Sequence, residues 1–520
     1  MTVPRISSAA ILWLAAAASA ATGLSLMLWH WSGGLPFDAT SGTWTALADD
    51  LAHGDFYRPL YGPLGWGGTR YMPLFFAMQA GLLRMGLDAG MAGLAVTVVS
   101  MLVFESAPLW WMRRQGVAWR IALPCVLLVH ASIAYQLLTI SAKGDILAAG
   151  LGLWGLNAVC CGRPRIPRLS LLLASLLFAG AALTKFTDLL CLATAVLWLA
   201  LSGRRADGLR LAGLTALLFL GGFAAAEALS GGRMLASFAA CASGGARWSH
   251  ALLFPFWFAR AAIQDPFLVV LVLAGAASAA ARWRADRLDL PAIYFAATFL
   301  GTMLLFVSPG TDWNHFPDLL AAAAGLVGIA VAGGAARRPA LLAAAAIGAA
   351  SVLTWIPGVV STRHFLERSG RPTRGGIAAI AQRLGPAGTR RLLSENPIVP
   401  LALGRRPELI DSFNLRLIAE RNPGLAERFR LDLAARRYSA VVCVDWTGSG
   451  ESGAWAAIRI HSSPGAGTFY GEVNFPPVFL DALESGYRLS FVEKPFVVFE
   501  PAVGPVDPPA SPAGSDSPHS

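Results

Sequence analysis

Apolar runs recur along most of this chain and stop near residue 360. A helix needs about 20 apolar residues to cover about 30 Å of hydrocarbon. Such runs fall at roughly 8–31, 89–112, 119–140, 146–161, 168–184, 186–203, 209–229, 266–283, 290–307, 317–335 and 339–360. The pattern predicts about eleven transmembrane helices. Stretch 71–86 is apolar but short, and counting it as a span would turn the arginine-rich loops outward. It is predicted to lie in the membrane interface or to be re-entrant, with Arg84 near the headgroups.

From about residue 372 short β-rich runs alternate with helical ones. Strands are predicted at Arg390–Ser394, Ala440–Val444 and Phe496–Phe499, and helices at 373–384, 424–437 and 476–485. That alternation indicates a small α/β domain. Val441-Val442-Cys443-Val444 is apolar enough to be a central strand buried on both faces. The last stretch is rich in Pro, Ser, Gly and Ala and reads as disordered. The expected organisation is a transmembrane domain over 1–365, an extracytoplasmic α/β domain over 366–500 and a tail over 501–520.

Composition agrees: 55% of residues are hydrophobic and only 14% charged, which places the chain among polytopic membrane proteins. The net charge of +10 raises the question of nucleic acid. The excess lies in alternate short loops, at Arg113, Arg114 and Arg120, then Arg163, Arg165 and Arg168, Arg204, Arg205 and Arg210, Arg282, Arg284 and Arg287, and Arg337 and Arg338. That alternation is a topology signal and offers no continuous basic face. It predicts a multi-pass plasma (inner) membrane protein with a cytoplasmic amino terminus and an extracytoplasmic C-terminal domain. The Ala-rich start resembles a cleavable signal, but the apolar run continues through Leu26-Met27-Leu28-Trp29, which suits a retained helix. Of six cysteines only Cys241 and Cys443 are predicted outside, where a disulfide between them would be chemically allowed.

The loops on the other face carry a different chemistry. They contain Asp38 just after the first span, Asp49-Asp50, Tyr57-Arg58-Pro59, and Arg70-Tyr71-Met72-Pro73-Leu74. Further along come Lys143-Gly144-Asp145, Lys185 with Asp188, Arg247-Trp248-Ser249-His250 and Asp312-Trp313-Asn314-His315. The chain has three lysines against 38 arginines, and Lys143 and Lys185 both stand at outer helix ends. A cation there defies the charge rule and calls for an anionic partner such as a lipid phosphate.

Bland readings stand beside these. Asp38 is also what a solvated loop acid looks like, Asp49 and Asp50 suit the polar face of an amphipathic helix, and Asp145 suits a helix cap. Trp44, Trp66 and Trp248 suit an interfacial aromatic belt. Glu105 and His130 lie deeper and read as a satisfied buried pair or a water-facing site.

This arrangement resembles the GT-C glycosyltransferases, a superfamily that includes aminoarabinose transferases and protein O-mannosyltransferases. The resemblance covers roughly 8–360. It rests on Asp38 after the first span, an amphipathic helix ending in Gly54-Asp55-Phe56-Tyr57, the basic-aromatic-proline turn from Arg70 to Leu74, Asp145 opening the fourth span, and Asn314 to Phe316 after a late one. The chain departs from the family in having Asp38-Ala39 where Asp-Glu is frequent, and Arg70-Tyr71-Met72-Pro73 where Lys-Pro-Pro is frequent.

The resemblance implies an inverting glycosyltransferase that moves a hexosyl or pentosyl group from a polyprenyl-phosphate carrier to an acceptor hydroxyl at the outer membrane face. It implies Asp38 and Asp145 as catalytic carboxylates, and Arg70, Lys185, Lys143 and Arg247 as phosphate-binding cations. Tyr57, Arg58, Tyr71, His250, Asn314 and His315 become acceptor- or sugar-binding residues. Two carboxylates permit a divalent cation, but no metal-ligand spacing assigns one and no other cofactor is implied. The acceptor and the sugar are left open. The rival from another class is a transporter or lipid flippase, which would keep ionisable residues at mid-membrane on broken helices; Glu105 and His130 are its candidates. A non-catalytic assembly protein is a third.

Overall fold

The computed structural model describes residues 8–33, 39–160, 166–242, 252–285, 289–307, 313–333, 346, 374–384, 391–444, 475 and 478–502. Helix α1 (Ser8–Gly33) is followed by α2 (Ala39–Ala52) and a tiny hairpin, β1 (Tyr61–Gly62) and β2 (Gly65–Trp66). Then come α3 (Pro73–Arg84), α4 (Ala89–Arg114), α5 (Trp119–Leu127), a 3-10 turn at Leu128–Ala131, and α6 (Ile133–Thr139). The bundle continues with α7 (Asp145–Val159), α8 (Arg168–Thr184), α9 (Leu190–Leu201), α10 (Arg205–Leu229), α11 (Arg233–Cys241), α12 (Phe254–Ile263), α13 (Pro266–Arg284) and α14 (Leu290–Leu305). A second 3-10 turn, Trp313–His315, leads into α15 (Pro317–Ala332).

Four described helices have the length and apolar content to cross a membrane: the α1 stretch Leu12–Trp31, α4, α10 and α13. Five more apolar helices are shorter, namely α7, α8, α9, α14 and α15. The chain is thus a multi-pass membrane protein, and its exposed Leu and Trp side chains along α1, α8 and α10 suit lipid contact. Apart from residue 346, the expected run 339–360 lies outside the described residues.

The predicted third span is not one straight helix. It bends by 82° between Trp119–Ala131 and Ile133–Thr139. At the bend Ser132 caps α6, and its hydroxyl donates to Asp265 Oδ2 at 2.6 Å; the Ala134 amide reaches the same oxygen at 3.2 Å. Asp265 Oδ1 accepts from Leu268 N at 3.0 Å, capping α13. One buried carboxylate thus satisfies the first turns of two helices, replacing the backbone partners lost at the break. Nearby, Glu105 accepts from Tyr135 at 2.7 Å and meets His130 Nε2 at 2.9 Å, so the two deep ionisable residues form a buried pair.

Helix α3 packs alongside α2 in the same direction, with Phe75 and Phe76 against Trp44 near its start and Gln79 donating to Thr45 at 3.0 Å. Arg84 donates to the carbonyls of Leu51 and Ala52, closing the exposed end of α2 rather than reaching only towards headgroups.

The C-terminal part holds a four-stranded sheet of β3 (Leu392–Ser394), β4 (Ala440–Val444), β5 (Tyr487–Glu493) and β6 (Phe496–Pro501), in the order β3-β4-β6-β5. The β3–β4 pair is parallel and the others antiparallel. Strand β4 is buried throughout. Its alternation splits two cores: Ala440, Val442 and Val444 pack towards Trp44 and Leu47 of α2, while Val441 and Cys443 pack towards Phe429 and Phe479.

The membrane part and this domain are locked together. Trp66 is fully buried in the domain's second core and its indole N–H donates to Tyr438 at 3.0 Å. Its backbone pairs with Glu408 and Ile410, at 2.7 and 3.1 Å. Gly65 beside it has φ +90°, and a Cβ there would lie 2.2 Å from the Glu408 carbonyl, so only glycine fits. Trp44 is also buried, stacked on Tyr71. Neither tryptophan belongs to an interfacial belt, because protein and not headgroups covers it; Trp248 lies outside the described residues. Asp50, expected on a polar face, is buried between Arg58 and Arg406. Cys241 and Cys443 are free, buried thiols, which removes the disulfide.

Candidate functional site

Four of the residues singled out from sequence meet at one point. Asp145 opens α7, Lys185 follows the last residue of α8, and Asn314 and His315 form the 3-10 turn before α15. Lys185 Nζ lies 2.5 Å from Asp145 Oδ1, donates to the Asn314 carbonyl at 3.2 Å and sits 3.4 Å from His315 Nδ1. The Asn314 side-chain amide donates to the same Asp145 oxygen at 3.1 Å.

The local sequence explains this placement. Gly144 ends the turn before α7 in a crowded spot, where a Cβ would lie 2.9 Å from Thr184 and 3.3 Å from the Trp44 ring. The missing side chain lets α2, α7 and α8 converge and brings the two charged residues together. Asp145, Lys185, Asn314 and His315 line a small cleft with Thr187, Asp188, Leu305 and Asp318.

Electrostatics divide the cleft. Burial, helped by Lys185 and Arg70, pushes His315 well below the usual imidazole range, so it stands neutral beside the ammonium. Asp188 is pushed well up, chiefly by burial and then by its contact with the Asp318 carboxyl. Asp318 in turn accepts from Tyr294 at 2.7 Å. Sequence reasoning noted Asp188 without assigning it a role and missed Asp318. Its signal was the one that marked Asp145, an acid in the first turn of an apolar helix.

Arg70 stands near this cluster, its guanidinium 5.7 Å from the Phe413 ring centroid of the C-terminal domain. Lys143 is half-buried in the turn ahead of Asp145. Tyr71 stacks on Trp44 and its carbonyl accepts from Tyr57 at 2.7 Å. Arg58 and Tyr57, expected against a sugar, are buried in protein contacts, Arg58 at the interdomain junction. The Arg58 guanidinium grips Asp50 at 2.6 and 2.7 Å and donates to the Leu64 and Pro407 carbonyls, entirely buried. Tyr57 is equally buried among Phe56, Phe76 and Phe238.

Asp38, Arg247 and His250 lie outside the described residues. Asp38 immediately precedes α2, and Ser41 in the first turn of that helix accepts from the amide of Ala142, three residues before Asp145. Among the described residues no group of three or more His, Cys, Asp or Glu is placed to hold a metal. Asp145 Oδ1 is already taken by Lys185 and Asn314.

The arginine-rich end is elsewhere. Arg114 donates to the Asn157 carbonyl at 2.6 Å, near the far end of α7. Cleft and arginine loops are therefore separated by about 18 Å of helix, at 1.5 Å per residue.

Comparison of folds adds the decisive observation. The structure superposes on ArnT from Cupriavidus metallidurans bound to undecaprenyl phosphate with a TM-score of 0.57, covering 94% of this chain and 98% of that one at 12% identity. It also superposes on the oligosaccharyltransferase of Archaeoglobus fulgidus, crystallised with Zn and sulfate, with a TM-score of 0.52, covering 86% of this chain and 69% of that one at 12% identity. The chain has the GT-C fold. No protein-family model and no curated protein sequence matches it. Against ArnT without ligand the TM-score is 0.52 at 14% identity, covering 92% of this chain and 96% of that one, so the likeness extends over both transmembrane and C-terminal parts.

Proposed function

We propose that this protein is an inverting glycosyltransferase that takes a sugar from a polyprenyl-phosphate carrier and passes it to an acceptor hydroxyl at the outer face of the membrane. The observation that carries this reading is Lys185. It is an ammonium held by Asp145, Asn314 and His315 in a cleft at the opposite end of α7 from the arginine loops, within a fold shared with proteins that include one crystallised on undecaprenyl phosphate.

The chemistry follows from the residue types. The acceptor oxygen attacks C1 as the C1–O bond to phosphate breaks, inverting the anomeric centre. Asp38 takes the hydroxyl proton in the general-base role of a carboxylate in inverting sugar chemistry. Lys185 and Arg70 stabilise the charge growing on the departing phosphate, with Lys143 and Arg247 contributing to the field. Asp145 holds Lys185 in place, and Asn314 fixes Asp145. Tyr71, His250 and His315 remain the sugar- and acceptor-contacting candidates.

In this reading the amino terminus is cytoplasmic and the C-terminal domain extracytoplasmic, as the alternate arginine loops support. Residues 1–365 form the catalytic domain, 366–500 the α/β domain and 501–520 the tail.

The test is transfer from radiolabelled polyprenyl-phosphate sugars by the purified protein. The wild type transfers label to an acceptor and Asp38→Asn loses it by about 10²-fold or more. Unchanged transfer by Asp38→Asn overturns the base assignment, and carrier translocation without transfer overturns the enzyme reading in favour of a flippase.

A further inference from the structure

Two carboxyls face each other in the wall of the cleft. Asp188 lies in the turn after α8, where its amide bonds the Lys185 carbonyl at 3.0 Å, and Asp318 lies in the first turn of α15. Their side chains are in hydrogen-bond contact, and Asp188 Oδ1 is buried with no donor among the described residues. Asp318 already accepts from the Tyr294 hydroxyl and from Cys191, at 2.7 and 3.4 Å. Two ionised carboxylates cannot sit in contact in a partly dry site, so the pair shares a proton, carried by the member that lacks other donors.

The surrounding charges make that proton consequential. Facing Asp188 are Asp318 from α15, Asp145 from α7 and Lys185 from its own turn, with neutral His315 beside them and Arg70 near His315. With the proton in place, the charges of Asp145 and Asp318 balance Lys185 and Arg70. Without it, the cleft gains a negative charge next to the cation that is to receive phosphate.

We propose that Asp188 and Asp318 are positioning residues that gate the cleft by charge: it accepts a lipid-borne phosphate only while the pair holds its proton. This rests on reading the cleft as a phosphate site. The sign follows from burial raising the titration of Asp188. The proton is present below the raised value and lost as pH climbs through it, so phosphate affinity is high on the acid side and falls on the alkaline side.

The experiment measures binding of a short-chain prenyl phosphate to the detergent-solubilised full chain from mildly acidic to alkaline pH, with the matching prenyl alcohol as control. Wild-type affinity falls by up to about tenfold per pH unit on the alkaline limb, the slope of one obligatory proton, and the alcohol shows no such fall. In Asp188→Asn the ratio of acid-side to alkaline-side affinity drops towards one whatever the absolute affinity, and Asp318→Asn flattens it likewise. An alkaline fall that persists in both variants, a flat wild-type profile, the same fall with the alcohol, or loss of all binding by both variants at every pH overturns the proposal. Failure of the phosphate reading itself is separate: Lys185→Ala then binds the prenyl phosphate as well as the wild type does.

Discussion

Lys185 is the residue on which the proposed chemistry turns, because its point charge is held by three neighbours that fix its position. Replacing it by alanine removes the charge proposed to face the leaving phosphate; transfer is expected to fall by about 10²–10³-fold, the effect of losing one preorganised donor. Lys185→Arg keeps the charge but changes its shape, so recovery is partial, read as kcat at saturating donor. Asp145→Asn leaves Lys185 without its counter-ion and is expected to lower activity while preserving the helix start, since circular dichroism reports the fold independently. Sequence could suggest these two residues by their outer position, but their contact across 40 positions of chain depended on Gly144 leaving room for Trp44 and Thr184.

At the scale of elements, the broken segment α5–α6 controls where the site stands. Helix α6 leads through Ser141 and Ala142 into Lys143 and Asp145, so its angle sets the position of the cleft wall. That angle is held by Asp265, whose two oxygens serve Ser132, Ala134 and Leu268. Asp265→Ala leaves buried donors unsatisfied at both helix starts and is expected to destabilise the protein by about 2–4 kcal/mol. A thermal-unfolding midpoint in detergent measures the loss. Hydropathy predicted a continuous span here because Leu, Val and Ile are equally apolar in a straight or a bent helix, and only the partner at residue 265 distinguishes the two.

At the scale of the whole molecule, the C-terminal domain is anchored onto α2 and the loop that follows it. Asp50 is shared between Arg58 from the loop and Arg406 from the domain, and Trp66 fills a domain cavity. Removing Arg58 leaves Asp50 buried beside a single half-exposed arginine, so Arg58→Ala is expected to cost about 3–5 kcal/mol, the range for breaking a buried pair. Trp66→Ala is expected to cost about 3–5 kcal/mol through cavity formation. Limited proteolysis would then cut the C-terminal domain faster than in the wild type. Because Arg70 rests against Phe413, loosening this junction is also expected to reduce donor affinity if Arg70 binds phosphate as proposed.

Sequence alone determined the solvent of this protein and the sides of its charges. Apolar length dictates membrane helices, alternate arginine loops separate one end of the bundle from the other, and strict apolar runs mark strand β4, because each depends on properties local to a segment. Tertiary structure decided what each polar residue does. Arg58 and Lys185 are both cations at loop ends, yet one is spent on a buried junction and the other faces a cleft. Asp50 and Asp318 each sit in helices whose sequence looks unremarkable, yet one closes an interdomain ion pair and the other meets Asp188. The energy of a charged group is set by what lies within a few ångströms of it, and in this chain those neighbours come from segments tens to hundreds of residues away.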